Sequence, residues 1–205
     1  MTPARAARRY DTALGLAAGL VALAQAAIAG SVALSTQASV LSLQQALVPV
    51  GGTNFGPFIG ALAVLFAFFY LTAGLSYLVV LGICWYAGRV AALLTGDRRA
   101  GGAAGLHVSM LASAIWTLGT LIIAVVFHAD GSFAWLIATL ALFIATPAGR
   151  APVGVSVIQP GGAFLAIQVI ALLLQALVGA GIALAFGMLA GRIGASSGLR
   201  RRGRT

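Results

Sequence analysis

Lysine and glutamate are missing from this chain altogether, and its acidic side chains number three: Asp11, Asp97 and Asp130. Charged residues make up 7% of the 205, against about 25% in a soluble domain, so no aqueous surface can be built from them. Cys84 is the only cysteine, which excludes an internal disulfide and any multi-cysteine metal site; inside an apolar run, it is expected to serve packing. His107 and His128 are the only histidines. Some 21 residues of helix between them would set them about 31 Å apart, too far to hold one haem or metal together. His128 with Asp130 would be an incomplete pair, since zinc sites need three or four protein ligands.

What fills the chain instead is apolar: 61% of the residues are hydrophobic, and they come in long unbroken runs rather than at the spacing of a half-buried helix or strand. The expectation is an all-α, polytopic transmembrane bundle. The twelve basic residues are all arginine, which with abundant alanine and glycine suggests a GC-rich bacterial genome. The net charge of +9 could point to nucleic acid in a soluble protein. Here the arginines sit at the ends of apolar runs, where they meet anionic lipid headgroups, and nucleic acid is not expected as a partner.

The first run covers residues 12–34 behind Arg5, Arg8 and Arg9. Ala27-Ile28-Ala29 before Gly30 resembles a signal cleavage site, but the apolar core is long for a signal peptide, and an uncleaved anchor is expected. Residues 40–50, closed by Pro49 and Gly51-Gly52, are too short to span and read as an interfacial or re-entrant element. Residues 58–86 form a second run of about 43 Å at 1.5 Å per residue, longer than the hydrocarbon core. Trp85 and Tyr86 mark its interface, and Arg89, Asp97, Arg98 and Arg99 fill the polar turn that follows. A third run covers residues 105–127 and a fourth starts at Phe133 and stops at Pro147. Residues 147–162, rich in proline and glycine, read as loop, and residues 163–190 form the last run.

The resulting organisation is an arginine-rich cytoplasmic N-terminus (1–11), a transmembrane helical domain (12–192) and an arginine-rich tail (193–205), in the plasma membrane of a bacterium. Five hydrophobic helices are expected. If all span, seven arginines fall inside and the five of the tail outside, a poor split under the positive-inside rule. If residues 133–158 dip in and return, four helices span and eleven of the twelve arginines become cytoplasmic. Against that alternative, non-helical backbone at membrane depth needs shielding by protein or water; five full spans are the expectation, and four spans with a re-entrant segment the alternative.

Helices associate in lipid by close backbone approach and interhelical hydrogen bonds, so small residues four apart are informative. Gly179, Ala183, Gly187 and Gly191 make such a stripe on the last helix, Gly15 and Gly19 another on the first, and Gly105, Ser109, Ser113 and Thr117 a third. Gln25, Gln168 and Gln175 are the most polar groups expected at depth. They could line a polar pathway, but interhelical hydrogen bonding is the commoner use of such side chains. Phe66, Phe68, Phe69 and Tyr70 could touch a lipid, quinone or pigment, or simply fill apolar space.

Pumps and proton-coupled carriers need ionisable groups at membrane depth, whereas every aspartate and arginine here falls at or beyond the end of an apolar run. No base stands in a recognisable arrangement with a nucleophile. The functional expectation is a non-catalytic scaffold or accessory subunit with no cofactor, working through contacts with itself, other membrane subunits and lipids. A permease-like component for a small uncharged molecule is the alternative, and a lipid- or quinone-binding protein a further one.

Overall fold

The computed structural model describes residues 3–47, 56–127 and 162–202, and these are helical except for the short turn at Gly96 and Asp97. Helix α1 is Pro3–Leu47, α2 is Gly56–Thr95, α3 is Arg98–Phe127 and α4 is Gly162–Arg202. Each is apolar around its full circumference rather than along one stripe, as expected of a helix surrounded by lipid and other helices. All four contain a segment long and apolar enough to cross a membrane: Ala7–Val32, Tyr70–Thr95, Arg98–Val126 and Val169–Arg200. The chain is therefore an all-helical, multi-pass membrane protein. The fourth hydrophobic run, from Phe133 to Pro147, the loop that follows it to residue 161, and His128 with Asp130 lie outside the described residues.

The helices are longer than the apolar runs that announced them. Residues 40–47, expected to form a separate interfacial element, continue α1 without a break. Ser35, Thr36, Gln37 and Ser39 between the two runs interrupt the hydropathy but contain no glycine or proline to interrupt the backbone. Arg89 does not sit in a turn but inside α2, and α3 starts at Arg98 rather than near Gly105. The polar turn shrinks to Gly96 and Asp97.

That turn is built from local chemistry. Gly96 has φ +73°, the left-handed conformation that glycine adopts at a helix end, and its N–H donates to the Ala92 carbonyl at 2.8 Å. The Thr95 hydroxyl donates to the Ala91 carbonyl at 2.8 Å. Asp97 then caps α3, its Oδ1 accepting from the Arg99 N–H at 2.8 Å, which satisfies one of the free donors of the first turn.

The described chain divides into two compact units. The first gathers residues 1–24, 74–118 and 176–205. Its core is small-residue and aliphatic: Ala18, Val80, Cys84, Ala87, Ala91, Ala104, Val108 and Ala112. Cys84 is fully buried there, as its position in an apolar run suggested. The second unit gathers residues 25–73 and 119–175, where Ala124 and Leu172 are buried together with Leu121 and Ala171 against them.

Helix directions in the first unit follow from which residues meet. Gly15 packs on Leu111 and Gly19 on Ile115, so α1 and α3 run parallel. Gly101 meets Gly191 and Ala195, Gly105 meets Gly187, and Gly187 meets Ser109, a descending register that makes α3 and α4 antiparallel. Tyr77 lies edge-on to Phe186 at 6.4 Å and Gly194 abuts Trp85, which makes α2 parallel to α4.

Candidate helix-packing site

The closest approach in the first unit is backbone against backbone. A Cβ built on Gly88 would strike the carbonyl oxygen of Gly191; one on Gly191 would strike that of Gly101; one on Gly105 would strike that of Gly187. On Gly194 it would meet the carbonyl of Trp85. Three helices, α2, α3 and α4, thus come together where none of them has a side chain in the way. In a membrane this is how helices gain van der Waals contact, there being no water to expel between them.

Gly15 and Gly19 do a related but softer job. A Cβ there would collide with side chains, standing 2.5 Å from Leu111 Cδ1 if built on Gly15 and striking the corresponding Cδ1 of Ile115 if built on Gly19. Knobs from α3 sit in notches on α1. Ser109, 1% exposed, contributes its Cβ and Oγ to the contact with Gly187, both at 2.5 Å from the position a Cβ would take, while its hydroxyl donates to the Leu106 carbonyl at 3.0 Å. The hydroxyl is therefore satisfied within its own helix and the residue acts as a small spacer.

The anticipated stripes are used unevenly. Gly187 and Gly191 are buried, and Ala183 is half-buried. Gly179 is exposed, and like Gly181 it meets nothing within 4 Å of where a Cβ would stand. Gly88, Gly101, Gly194 and Gly198 belong to the same contact system and were not among the expected residues. They lie in stretches that hydropathy assigns to a polar turn and a charged tail, although the spacings 101/105 and 187/191/194/198 carry the small-residue signal.

Farther along, α3 and α4 leave an open groove of about 340 Å³ lined by Met110, Ser113, Ala114, Thr117, Leu118, Ala180 and Leu184. Its lining is largely apolar. The Thr117 hydroxyl donates to the Ser113 carbonyl at 2.8 Å, so it does not offer a donor to an occupant.

Of the glutamines, Gln25 is buried on α1 and Gln175 half-buried on α4, both in the second unit. Gln168 lies on α4, its side chain outside the described set, as are those of Phe66 and Phe69. Phe68 is half-buried and Tyr70 exposed.

Among the described aspartates and arginines, one is buried rather than exposed or half-buried. Asp11 lies inside the membrane-compatible part of α1, only 8% exposed, and its Oδ1 has no hydrogen-bond partner. Next to it the Thr12 hydroxyl donates to the Arg8 carbonyl at 2.9 Å and stands 3.5 Å from His107 Nε2. The burial arises because α1 begins well before the apolar run and packs on α3 from its first turns. Among the described residues no group of three or more histidine, cysteine or acidic side chains is placed to hold a metal.

These features define a class, the polytopic α-helical membrane protein with glycine-mediated helix contacts. Compared with family models, with curated proteins and with solved structures, the chain matches none.

Proposed function

We propose that this chain is a non-catalytic scaffold or accessory subunit of the bacterial plasma membrane, acting through helix contacts with a further membrane helix. The observation that carries the proposal is the division of small residues on α4. Gly187, Gly191 and Gly194 are consumed inside the unit, whereas Gly179 and Gly181, two positions apart and so on different sides of the helix, are both exposed with nothing within 4 Å of where a Cβ would stand. The neighbouring Leu177 and Val178 are 72% and 62% exposed. Glycine weakens a helix unless close approach uses it; on α4 the inner glycines are used within the chain and the outer ones remain available to a partner.

The test is purification of the full chain in a mild detergent, followed by its mass in the micelle. The expected result is a species larger than one chain, which Gly179→Leu combined with Gly181→Leu reduces to a helical monomer. A lone monomer from unmodified protein refutes the proposal.

A further inference from the structure

Ten of the twelve arginines fall in described helices: Arg5, Arg8 and Arg9 on α1, Arg89 on α2, Arg98 and Arg99 on α3, and Arg192, Arg200, Arg201 and Arg202 on α4. The register of the first unit brings them to one end. Thr12 is level with His107, so Arg8, one turn earlier on the parallel helix, stands near the level of Ala103. A Cβ on Gly102 would touch the Arg192 side chain at 3.1 Å, which sets Arg192 at the same height. Gly88 abuts Gly191, and the Arg89 side chain lies against Gly198, so Arg89 stands at the same end, between the level of Arg192 and that of Arg200. Arg98 and Arg99, and Arg200 to Arg202, form a second tier farther from the apolar body.

Among the described residues, positions 13–47, 56–88, 100–127 and 162–191 contain no aspartate or arginine. Aromatic side chains suited to an interface accompany the arginine tier: Tyr10 is 53% exposed, Tyr86 46%, and Arg89 stacks 5.8 Å from the Trp85 ring centre. Helix electrostatics suits Arg200, Arg201 and Arg202 at the C-terminal end of α4 but does not explain the arginines of α1 and α3. Arginines in the opening turns of α1 and α3 oppose the helix dipole, and neither helix has an acidic residue in its first turn.

The geometry points to a two-tier arginine collar, built by all four helices, that binds the anionic phospholipid headgroups of the cytoplasmic leaflet and holds both helical ends of the chain and the α2–α3 turn on that side. Guanidinium groups match phosphate with paired N–H donors, tyrosine and tryptophan seat the collar at headgroup depth, and arginine at the cytoplasmic side fixes orientation. Arg8, Arg9 and Arg192 are exposed and available to such a ligand.

Two measurements test it on the full-length protein. In phosphatidylcholine vesicles containing phosphatidylglycerol, spin-labelled phosphatidylglycerol should be enriched over spin-labelled phosphatidylcholine in the lipid shell around the protein. Arg8→Gln, Arg9→Gln and Arg192→Gln together should abolish the enrichment, and Arg98→Gln with Arg99→Gln should reduce it, both variants keeping parental helicity. Equal occupancy by the two lipids in the parent protein, or undiminished enrichment in both variants, overturns the collar, as would tighter retention of an oligonucleotide than of the lipid. Reporters that mature only in the cytoplasm, fused at either end, should both be active in cells. A dark reporter at one end, with an active periplasmic phosphatase fused there instead, overturns the orientation.

Discussion

Gly105 on α3 faces the carbonyl oxygen of Gly187 on α4 so closely that no Cβ fits between them. The neighbouring contacts of Gly191 with Gly101 and of Gly88 with Gly191 are of the same kind, so the three helices are held at a separation only glycine permits. Backbone cannot rotate aside as a side chain can. Gly105→Ala and Gly191→Ala should therefore each destabilise the protein by about 1–3 kcal/mol, the usual cost of overpacking. Gly82→Ala on α2, exposed and with nothing within 4 Å of where a Cβ would stand, should instead stabilise by up to ~1 kcal/mol, because alanine is the better helix former where space is open. Thermal unfolding in detergent, followed by circular dichroism, separates the two outcomes; equal effects at both kinds of position would refute the packing assignment.

The notch at Gly15 makes a different prediction. The obstacle there is the Leu111 side chain, with Cδ1 at 2.5 Å and Cβ at 3.1 Å from where a Cβ on residue 15 would stand, and the terminal methyl can move. Gly15→Ala should cost less than Gly191→Ala. Combined with Leu111→Ala it should be less damaging than the sum of the two single changes, by about 0.5–3 kcal/mol, the range of coupling between residues in contact. Additive behaviour in that double-mutant cycle would show that α1 and α3 do not meet there.

At the α2–α3 turn, Gly96 carries the positive φ and Asp97 the cap. Gly96→Ala should lose about 1–2 kcal/mol, the cost of the left-handed conformation for a residue with a Cβ, and Gly96→Asn should lose less. Asp97→Ala removes the acceptor for the Arg99 N–H and should lose about 0.5–2 kcal/mol. Chemical denaturation in micelles can rank the three variants; a neutral Gly96→Ala would be inconsistent with the turn.

Asp11 is a buried carboxyl group whose Oδ1 has no hydrogen-bond partner. Asp11→Asn keeps its shape while removing the ability to carry charge, and an uncompensated buried charge is costly. The variant is expected to be at least as stable as the parent in a thermal melt near neutral pH. A marked loss would show that a charged Asp11 is needed for the fold.

Much of this architecture is visible in particular residues of the sequence. The apolar stretches beginning near Thr12, Phe58, Gly105 and Ala163 each became the interior of a helix, because a peptide in lipid must satisfy its N–H and C=O groups within the segment. Helix ends were harder to read. Hydropathy falls at Ser35 and at Arg89, yet polar side chains do not stop a helix, and only Gly96 with Asp97 supplies actual stop and start signals. The packing residues were partly legible: Gly187, Gly191, Gly105, Ser109, Gly15 and Gly19 stood out by spacing. Gly88 and Gly101 did not, lying in stretches read as polar. Gly179 had the spacing of a contact but faces open space within the chain. Spacing identifies a face of a helix; it carries no information on which neighbour meets that face.

Composition and order along the chain determined by themselves that this is a helical protein of the bilayer, because too few charges exist to clothe it in water and the apolar runs are long enough to cross. Tertiary structure decided the directions of the helices, the choice of glycines at which backbones touch, and the gathering of arginines distant in sequence at one end of the first unit. Those outcomes depend on contacts between residues as far apart as Gly88 and Gly191, and in lipid such contacts are selected by shape, which hydropathy does not encode.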